Sequence, residues 1–340
     1  MKNYKFMGTY TDYYDGWSYE YEEKCGKMVD WRVCCPSCRK LPIENLSSFF
    51  KYYALNEYSV DALTKMYLYA SHPNQFNDPF DCCEDLLDFT SANEEILKAI
   101  YYPMFDDFKK VYGENIRDYT HEHFKTLFYG KMGIVSLTTK EDNLCLWANY
   151  AKENGFCIQI NPNKLPFQHW GPFPIHYVEK LHSIKIEKCA QTAILMQTNI
   201  KSKCWQSEDE WRLLVSNPLG MDFVRFDKDG DEYCKHFKAH NRHMRYPIEA
   251  LLSVTLGPKF LFEHDIKCEE LSLLEQKVIC YQNPLKRKIL SFLSRYNIPT
   301  KVLLAVSNKK ENLLLDLVMV HVYKLSDFVF KLFIQTNNKD

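Results

Sequence analysis

Glycine is scarce in this sequence, with 11 among 340 residues, about 3% against a usual share of about 7%. A chain so poor in glycine is not expected to depend on a Gly-rich phosphate loop. The motifs G-x-x-x-x-G-K-S/T, G-x-G-x-x-G, G-x-S-x-G and H-E-x-x-H do not occur. No H-x-E segment is paired with P-C-x-x-C either. These absences exclude P-loop NTPases, Rossmann dehydrogenases, serine hydrolases with a nucleophile elbow and zinc deaminases.

The sequence also lacks a charge excess, a secretory leader and a long apolar run. Its 43 basic and 44 acidic residues give a net charge of -1, which argues against binding nucleic acid through the whole surface. The most apolar tract, 313–333, is interrupted by charged or polar residues, namely Asp316, His321, Lys324, Asp327 and Lys331. We therefore expect a cytoplasmic protein with no membrane partner.

Cysteine is abundant by contrast, with 13 residues. Disulfides are rare in the cytoplasm, and the nine cysteines after residue 80 lie among apolar neighbours, so we expect them to be small buried side chains. The other four are Cys25, Cys34, Cys35 and Cys38. A C-x-x-C pair of this kind forms half of a structural zinc site. Unliganded thiols and a redox pair are the alternatives.

The aromatic content, with 23 Tyr, 22 Phe and 6 Trp, supports a large core. Helical spacing of apolar residues predicts helices over 93–112, 115–131, 143–154, 185–203 and 286–296, and a further helix is expected after Lys259. Gly155 follows the helix over 143–154 as a typical stop signal. Short β-rich stretches predict strands at 66–70, 133–138, 156–160, 210–216, 251–256 and 301–307. The pattern predicts an α+β protein. A Cys/Tyr-rich segment 1–44 precedes a main domain 45–275, and 276–340 adds a helix and an apolar tract.

Three stretches, taken in order, resemble the pattern of one bacterial family. They read YASHPNQFNDPFD from Tyr69 to Asp81, GIVSLT at 133–138 with LWANYA at 146–151 and GFCI at 155–158, and WQSEDEWR at 205–212. These blocks are similar to those of domain-of-unknown-function family 2971, over about residues 48–260. The family name records no assigned chemistry.

The third block also resembles the Glu-containing motif of ADP-ribosyltransferases. That resemblance implies a mixed, mainly antiparallel β-sheet core with surrounding helices. It further implies Glu210 as the catalytic carboxylate, Ser71 as the second-motif serine, and Tyr53 or Tyr52 at the first-motif position. NAD would be the substrate, since breaking its nicotinamide–ribose bond passes through an oxocarbenium-like state that a carboxylate stabilises.

Further side chains in these blocks are expected to contact NAD. On a strand, Glu208, Glu210 and Arg212 point to one face, and Arg212 would meet the pyrophosphate. The other predicted contacts come from the aromatic and Asn-Asp positions, namely Tyr52, Asn77, Asp78, Trp147 and Tyr150. Purely structural roles remain open as alternatives to NAD contacts. The charged face would be a solvated edge or an ion-pair ladder, Asn77 and Asp78 would form an Asx turn, and Trp147 would pack in the core.

The leading hypothesis is therefore an ADP-ribosyltransferase-like toxin or phage-defence effector that modifies RNA, DNA or protein. A second hypothesis is a non-enzymatic module whose N-terminal segment docks an antitoxin or other regulatory protein. A third is a nuclease or hydrolase with a divalent ion held by Asp78, Asp81, Glu208 and Glu210.

Overall fold

The computed structural model describes most of the chain in twelve stretches. These are residues 7–24, 27–34, 48–101, 104–121, 132–152, 154–166, 169–216, 242–260, 277–280, 283–307, 313–327 and 329–334. Two compact units emerge from the chain. Unit 1 comprises 1–45, 69–136 and 168–244, and unit 2 comprises 46–68, 137–167 and 245–340. The predicted ranges 1–44, 45–275 and 276–340 stay a prediction.

The described residues contain both helices and strands. The helices are α1 (Glu57–Thr64), α2 (Glu94–Tyr101), α3 (Phe105–Tyr112), α4 (Leu144–Leu146, continued by a π-turn over Trp147–Ala151), α5 (Ala190–Asn199) and α6 (Pro284–Tyr296). The strands are β1 (Met7–Tyr14), β2 (Trp17–Lys24), β3 (Lys27–Cys34), β4 (Phe49–Tyr53), β5 (Tyr67–Tyr69), β6 (Leu87–Asp88), β7 (Met132–Thr138), β8 (Phe156–Ile160), β9 (His169–Pro174), β10 (His176–Val178), β11 (Ile184–Lys185), β12 (Ile200–Ser202), β13 (Glu210–Ser216), β14 (His243–Arg245), β15 (Leu251–Leu256), β16 (Lys277–Cys280), β17 (Thr300–Ser307), β18 (Leu313–Lys324) and β19 (Val329–Ile334).

Unit 2 is built on a mixed sheet with the strand order β16-β19-β18-β17-β15-β8-β4. Neighbouring strands in it are antiparallel except for β15 and β17, which run parallel. Helix α6 packs against α1 and β18. Asn283 caps α6, because its side chain accepts from two backbone N–H groups of the first turn. Pro284 is the first residue of the helix, where a backbone N–H would have no acceptor within the helix, so the N–H that proline lacks is not needed.

Unit 1 contains several groups of paired strands, and helix α5 packs against β1, β2, β6 and β11. Strands β1, β2 and β3 form an antiparallel meander, and β9 pairs antiparallel with β13. Two parallel pairs, β10 with β12 and β6 with β11, flank α5 in sequence. Helix α5 is buried along almost its whole length. Its polar side chains Thr192, Gln197 and Asn199 are buried with it and donate hydrogen bonds to backbone carbonyls. The predicted α+β class with a mixed, mainly antiparallel sheet is confirmed.

Several predicted elements match closely. Strands 156–160, 210–216 and 251–256 have the predicted bounds, and α6 starts two residues before its predicted range. The single predicted helix over 93–112 is instead two helices, with Pro103 lying between them in sequence. A proline cannot donate to the preceding turn, which explains the break.

One other prediction differs from the structure. The helix expected over 185–203 is only Ala190–Asn199, and strands β11 and β12 flank it. The last apolar tract, which the sequence leaves undecided, forms the hairpin of β18 and β19. The alternation of charged and apolar residues along 316–331 fits strands, whose side chains alternate between two faces. The helix expected after Lys259 lies outside the described residues.

Within the described part of the chain, none of the helices combines the length and apolar character needed to traverse a lipid bilayer.

The helical segment of α4 ends at Ala151, and its left-handed cap is Lys152 with φ of +53° rather than the predicted glycine. Gly155 lies three residues beyond this cap and is required for a different reason. Its N–H donates to the carbonyl of Ala151 at 2.9 Å, and its own carbonyl accepts from Gly257 at 2.9 Å. A Cβ at this position would lie 2.0 Å from the carbonyl oxygen of Tyr53 and 2.5 Å from that of Ala151. Both colliding groups are backbone, which cannot move aside as a side chain can.

Gly155→Ala is therefore expected to destabilise the protein by about 2 kcal/mol, since overpacking against backbone forces main-chain shifts. Urea unfolding followed by circular dichroism measures the change. Gly113→Ala is the control: its φ is +55°, and a Cβ there meets nothing within 4 Å. Its loss, about 1–3 kcal/mol, should come from backbone strain alone. A Gly155→Ala protein as stable as wild type would contradict the close-packing explanation.

The N-terminal meander packs on β10 through His176. The imidazole stacks on Trp17 with ring centroids 4.4 Å apart, and its Nδ1 lies 3.1 Å from the hydroxyl of Tyr19. The Asp15 carboxylate is 3.6 Å from Nε2 but is itself mostly exposed. Burial lowers the pKa of His176 more than Asp15 raises it. His176 is therefore neutral in the folded protein at neutral pH.

This pKa shift predicts a pH-dependent stability. Because the folded-state pKa lies below the unfolded value of about 6.5, the contribution of His176 is complete above pH 6.5 and is lost as the pH falls towards the folded pKa. His176→Gln should reduce the loss of urea stability between pH 7.5 and pH 5.5 relative to wild type. If the free energy of unfolding changed equally with pH in both proteins, the lowered pKa of His176 would be contradicted.

Candidate functional site

The candidate site is a buried cluster of charges in unit 1. It consists of Asp81, Lys201, Glu208, Glu210 and Arg212, whose side chains are each at most 6% exposed. They come from the loop before Cys82, from β12, from the 3-10 helix Lys203–Glu208 and from β13. Three carboxylates and two cations removed from water are expensive to bury, so the arrangement needs an explanation beyond packing.

Arg212 is the centre of the cluster. Its Nε donates to Oε1 of Glu210 at 2.8 Å, and its Nη2 donates to Oδ2 of Asp81 at 2.6 Å and to Oε2 of Glu210 at 3.1 Å. Its Nη1 donates to the carbonyl of Thr198 at 2.7 Å and to Sγ of Cys82 at 3.2 Å. These donors fix the plane of the guanidinium.

Lys201 is the second cation of the cluster and contacts all three carboxylates. Its Nζ lies 2.7 Å from Oε2 of Glu208 and 2.9 Å from Oε2 of Glu210, and a third carboxylate, that of Asp81, is 3.6 Å away. The ammonium also sits 5.1 Å from the ring centroid of Trp205, at cation–π distance. Lys201 thus joins the two glutamates of the E-x-E pair.

The charges set the ionisation of Glu210. Burial by itself would raise the pKa of this carboxyl, but the charges of Arg212 and Lys201, and the hydrogen bonds they donate, lower the pKa to about 2. Burial would likewise lower the pKa of Lys201, yet the neighbouring carboxylates raise it. Glu210 is therefore a carboxylate, and Lys201 an ammonium, at any physiological pH. Strongly perturbed groups of this kind are typical of functional sites.

The backbone around the cluster is constrained as well. Cys82 and Asp209, which adjoin Asp81 and Glu210, have φ of +54° and +47°. Non-glycine residues in this left-handed region are uncommon, and they concentrate at functional sites. The N–H of Glu210 donates to the hydroxyl of Tyr177 at 2.8 Å. The position of Glu210 is thus set through both its backbone and its carboxylate.

The structure brings together only part of the predicted set. Glu208, Glu210 and Arg212 converge, and the ion-pair alternative for this charged face holds, although the pairs are buried rather than on a solvated edge. Asp81, named only for the metal alternative, joins them. Sequence reasoning missed Lys201, which stands four residues before Trp205.

The other predicted residues of unit 1 are Ser71, Asn77 and Asp78. They precede Asp81 in the chain but do not take part in the ion pairs. Ser71 is half-buried, and its backbone bridges to Ile134. Asp78 is buried and accepts from the N–H of Phe80 at 2.9 Å, which confirms the Asx turn. Asn77 is exposed. The predicted contacts of these three residues with NAD stay a prediction.

The predicted residues of unit 2 form their own packed group. Trp147 is 2% exposed, donates from Nε1 to the carbonyl of Glu141 at 3.0 Å and meets the ring of Tyr52 edge-on. The Tyr52 hydroxyl donates to the carbonyl of Lys140 at 2.8 Å. These contacts favour the core-packing alternative for Trp147. Tyr150 is half-buried in the π-turn.

Tyr53 differs from these residues. Its hydroxyl is buried and has no hydrogen-bond partner among the described residues. Burial raises its pKa well above the usual value, with a further contribution from Tyr246. The phenol is therefore neutral, and its O–H group donates no hydrogen bond to the described residues. Its predicted role as the first-motif residue stays a prediction.

The predicted zinc ligands Cys25, Cys35 and Cys38 lie outside the described residues, and only Cys34, at the end of β3, is described. Among the described residues, no group of three or more His, Cys, Asp or Glu side chains is arranged to hold a metal ion. Three of the four carboxylates of the metal alternative, those of Asp81, Glu208 and Glu210, instead pair with Lys201 and Arg212.

Comparison with known proteins gives a family match over part of the chain, and that family is defined by sequence rather than by activity. Residues 146–213 match the model of the family described as "Protein of unknown function (DUF2971)". The match begins at Leu146 in α4 and continues through β8 and β12 to the Glu-Asp-Glu-Trp-Arg block, and it confirms the family resemblance over that segment. Comparison with curated proteins and with solved structures gave no match.

The cluster predicts a large effect of removing the Lys201 charge. Lys201→Met leaves three buried carboxylates with one cation, and breaking a buried pair costs about 3–5 kcal/mol. The loss should shrink as the pH falls towards 4, because protonation of a carboxylate relieves the excess negative charge. Urea unfolding at pH 7 and pH 4.5 measures both.

Lys203→Met is the matched control, because Lys203 pairs with Glu179 on the surface. Exposed pairs contribute about 0–1 kcal/mol, so its stability should stay close to wild type at both pH values. Lys201→Arg keeps the charge and should fall between the two. A Lys201→Met protein as stable as wild type would contradict the charge balance described above.

Proposed function

We propose that the protein is an NAD-consuming, ADP-ribosyltransferase-like enzyme that transfers ADP-ribose to a macromolecular acceptor. Glu210 is its catalytic carboxylate. The observation that carries this proposal is the state of Glu210: a buried carboxylate at the first residue of β13, kept ionised and held by Arg212 and Lys201. The expected setting, a toxin or phage-defence effector, belongs to the same proposal.

The chemistry requires such a group. The bond between the ribose C1′ and the nicotinamide nitrogen breaks, and its electron pair leaves with neutral nicotinamide. Positive charge develops on the ribose, and a fixed carboxylate beside the ribose hydroxyls stabilises it. A nucleophilic oxygen or nitrogen of the acceptor then bonds to C1′ and loses its proton. A protonated or freely rotating carboxyl could not perform this role as well.

Arg212 and Lys201 act in this proposal as positioning residues. All the described donors of Arg212 are used within the protein, so holding Glu210 replaces the pyrophosphate contact expected from the sequence. Preorganised charges of this kind need no rearrangement as the reaction proceeds. Glu208 shares Lys201 with Glu210 and completes the E-x-E pair.

The proposal is tested by incubating the full chain with labelled NAD and RNA, DNA or protein acceptors, and by measuring nicotinamide release and label transfer. Glu210→Gln should lower both by about 100-fold or more, which is the size of effect expected when a group that stabilises the transition state is removed. The same substitution also removes a buried charge, so rates are compared at equal folded fraction.

Asp81→Asn is the matched control for the loss of a buried negative charge. It removes a carboxylate from Arg212 and Lys201 without touching Glu210, so its activity loss should be much smaller than that of Glu210→Gln. Wild type that releases no nicotinamide with any acceptor would refute the proposal. Nucleic-acid cleavage abolished by a chelator would support the metal-dependent hydrolase instead.

A further inference from the structure

Tyr177 is a half-buried residue next to the charge cluster, whose own side chains are buried. It lies on β10 and is the register partner of Lys201 on the parallel strand β12. Paired residues of neighbouring strands project from the same face of a sheet, on backbones about 4.8 Å apart. The phenol therefore stands beside the Lys201 side chain, at a position that a ligand can reach from solvent.

The hydroxyl of Tyr177 contacts Glu210 directly. It accepts a hydrogen bond from the backbone N–H of Glu210 at 2.8 Å. The ammonium of Lys201 lies 2.9 Å from Oε2 of the same residue. Strands β10 and β12 thus hold Glu210 by its backbone and by its carboxylate, and the phenol oxygen is fixed with respect to both.

The Tyr177 hydroxyl has an unused donor. A phenol carries one O–H donor besides its acceptor positions, and within the described ranges no group accepts from Tyr177. Burial raises the pKa of this phenol, and the negative charges of Glu210 and Glu208 raise it further, although the Glu210 N–H and the Lys201 charge lower it. The group therefore keeps its proton at physiological pH and is a donor, not a base.

The Glu210 carboxylate has an unused acceptor position. Two carboxylate oxygens offer about four lone-pair positions. Nε of Arg212 donates to Oε1, whereas Lys201 and Nη2 of Arg212 both donate to Oε2. Within the part of the chain that the structure describes, the position left open is therefore on Oε1. A buried acceptor without a partner is unfavourable, so this position favours a ligand that donates.

An unused donor and an unused acceptor at one residue match a hydroxyl group, which both accepts and donates hydrogen bonds. A carbonyl or ether oxygen would accept from Tyr177 but leave Oε1 of Glu210 unfilled. An anionic oxygen would meet the Glu210 carboxylate as a like charge. A hydroxyl that is held at both its oxygen and its proton loses its rotation about the C–O bond, so its O–H direction is fixed.

We propose that Tyr177 binds the substrate together with Glu210: its O–H donates to the oxygen of the ribose hydroxyl whose proton is donated to Oε1 of Glu210. This inference rests on the proposed function, since it takes the nicotinamide ribose of NAD as the sugar. The paired contacts point the hydroxyl at the carboxylate that stabilises the developing positive charge, before the bond to nicotinamide breaks. Tyr177 thereby selects for a hydroxylated sugar.

The test measures kcat/KM for nicotinamide release by the full chain, with the acceptor that supports turnover. NAD is compared with two analogues, which lack the 2′- or the 3′-hydroxyl of the nicotinamide ribose. Tyr177→Phe keeps the ring and removes the O–H, so kcat/KM for NAD should fall about 5–10-fold, the effect of losing one hydrogen bond to the substrate. With the analogue that lacks the contacted hydroxyl, variant and wild type should be equal, because that partner is already absent. The other analogue should show the same loss as NAD.

Tyr19→Phe is the matched control, because the buried Tyr19 hydroxyl lies 3.1 Å from Nδ1 of His176, which also belongs to β10. Any loss in this control should be equal for all three substrates. Spontaneous nicotinamide release is subtracted for each substrate, and rates are compared at equal folded fraction, measured by urea unfolding.

Equal losses of Tyr177→Phe with all three substrates mean that the hydroxyl only supports the backbone of Glu210. That result overturns this inference and leaves the proposed function intact. Unchanged turnover in Tyr177→Phe, alongside an activity that Glu210→Gln abolishes, overturns it as well. Wild type that releases no nicotinamide with any acceptor overturns the proposed function and this inference together.

Discussion

The charge balance around Arg212 is the interaction on which unit 1 depends. Its guanidinium ties β13 to the loop of Asp81, to the end of α5 at Thr198 and to Glu210 on its own strand. Each buried carboxylate would be strongly unfavourable without a cation at hydrogen-bond distance. The path of the chain around this point is therefore dictated by the need to bring two cations and three carboxylates to the same place.

Strand β10 lies between the charge cluster and the N-terminal meander and contacts both. Neighbouring residues of a strand point to opposite faces, so His176 meets Trp17 and Tyr19 while Tyr177 receives the N–H of Glu210. A three-residue strand thus serves two packed surfaces at once. The meander, which has an unusual composition in the sequence, acts here as part of the structural support of the strand that positions Glu210.

The sequence predicts what depends on local pattern. The bounds of β8, β13 and β15 follow from short β-rich runs, and the shared face of Glu210 and Arg212 follows from strand alternation alone. The contact of Asp81 with Arg212 spans 131 positions, and no local pattern encodes it. Lys201 was missed because a lysine beside a helix predicts a solvated side chain, and only the tertiary fold turns it inward.

Because one guanidinium and one ammonium serve all three carboxylates, the cluster behaves as a unit rather than as a set of separate pairs. Groups that share partners do not give additive effects when they are changed together. The contribution of any single member, whether measured as stability or as rate, is then a property of the network that remains. Diversity among relatives at these positions should consequently take the form of joint replacements, in which a lost charge is matched by the loss of its counter-charge.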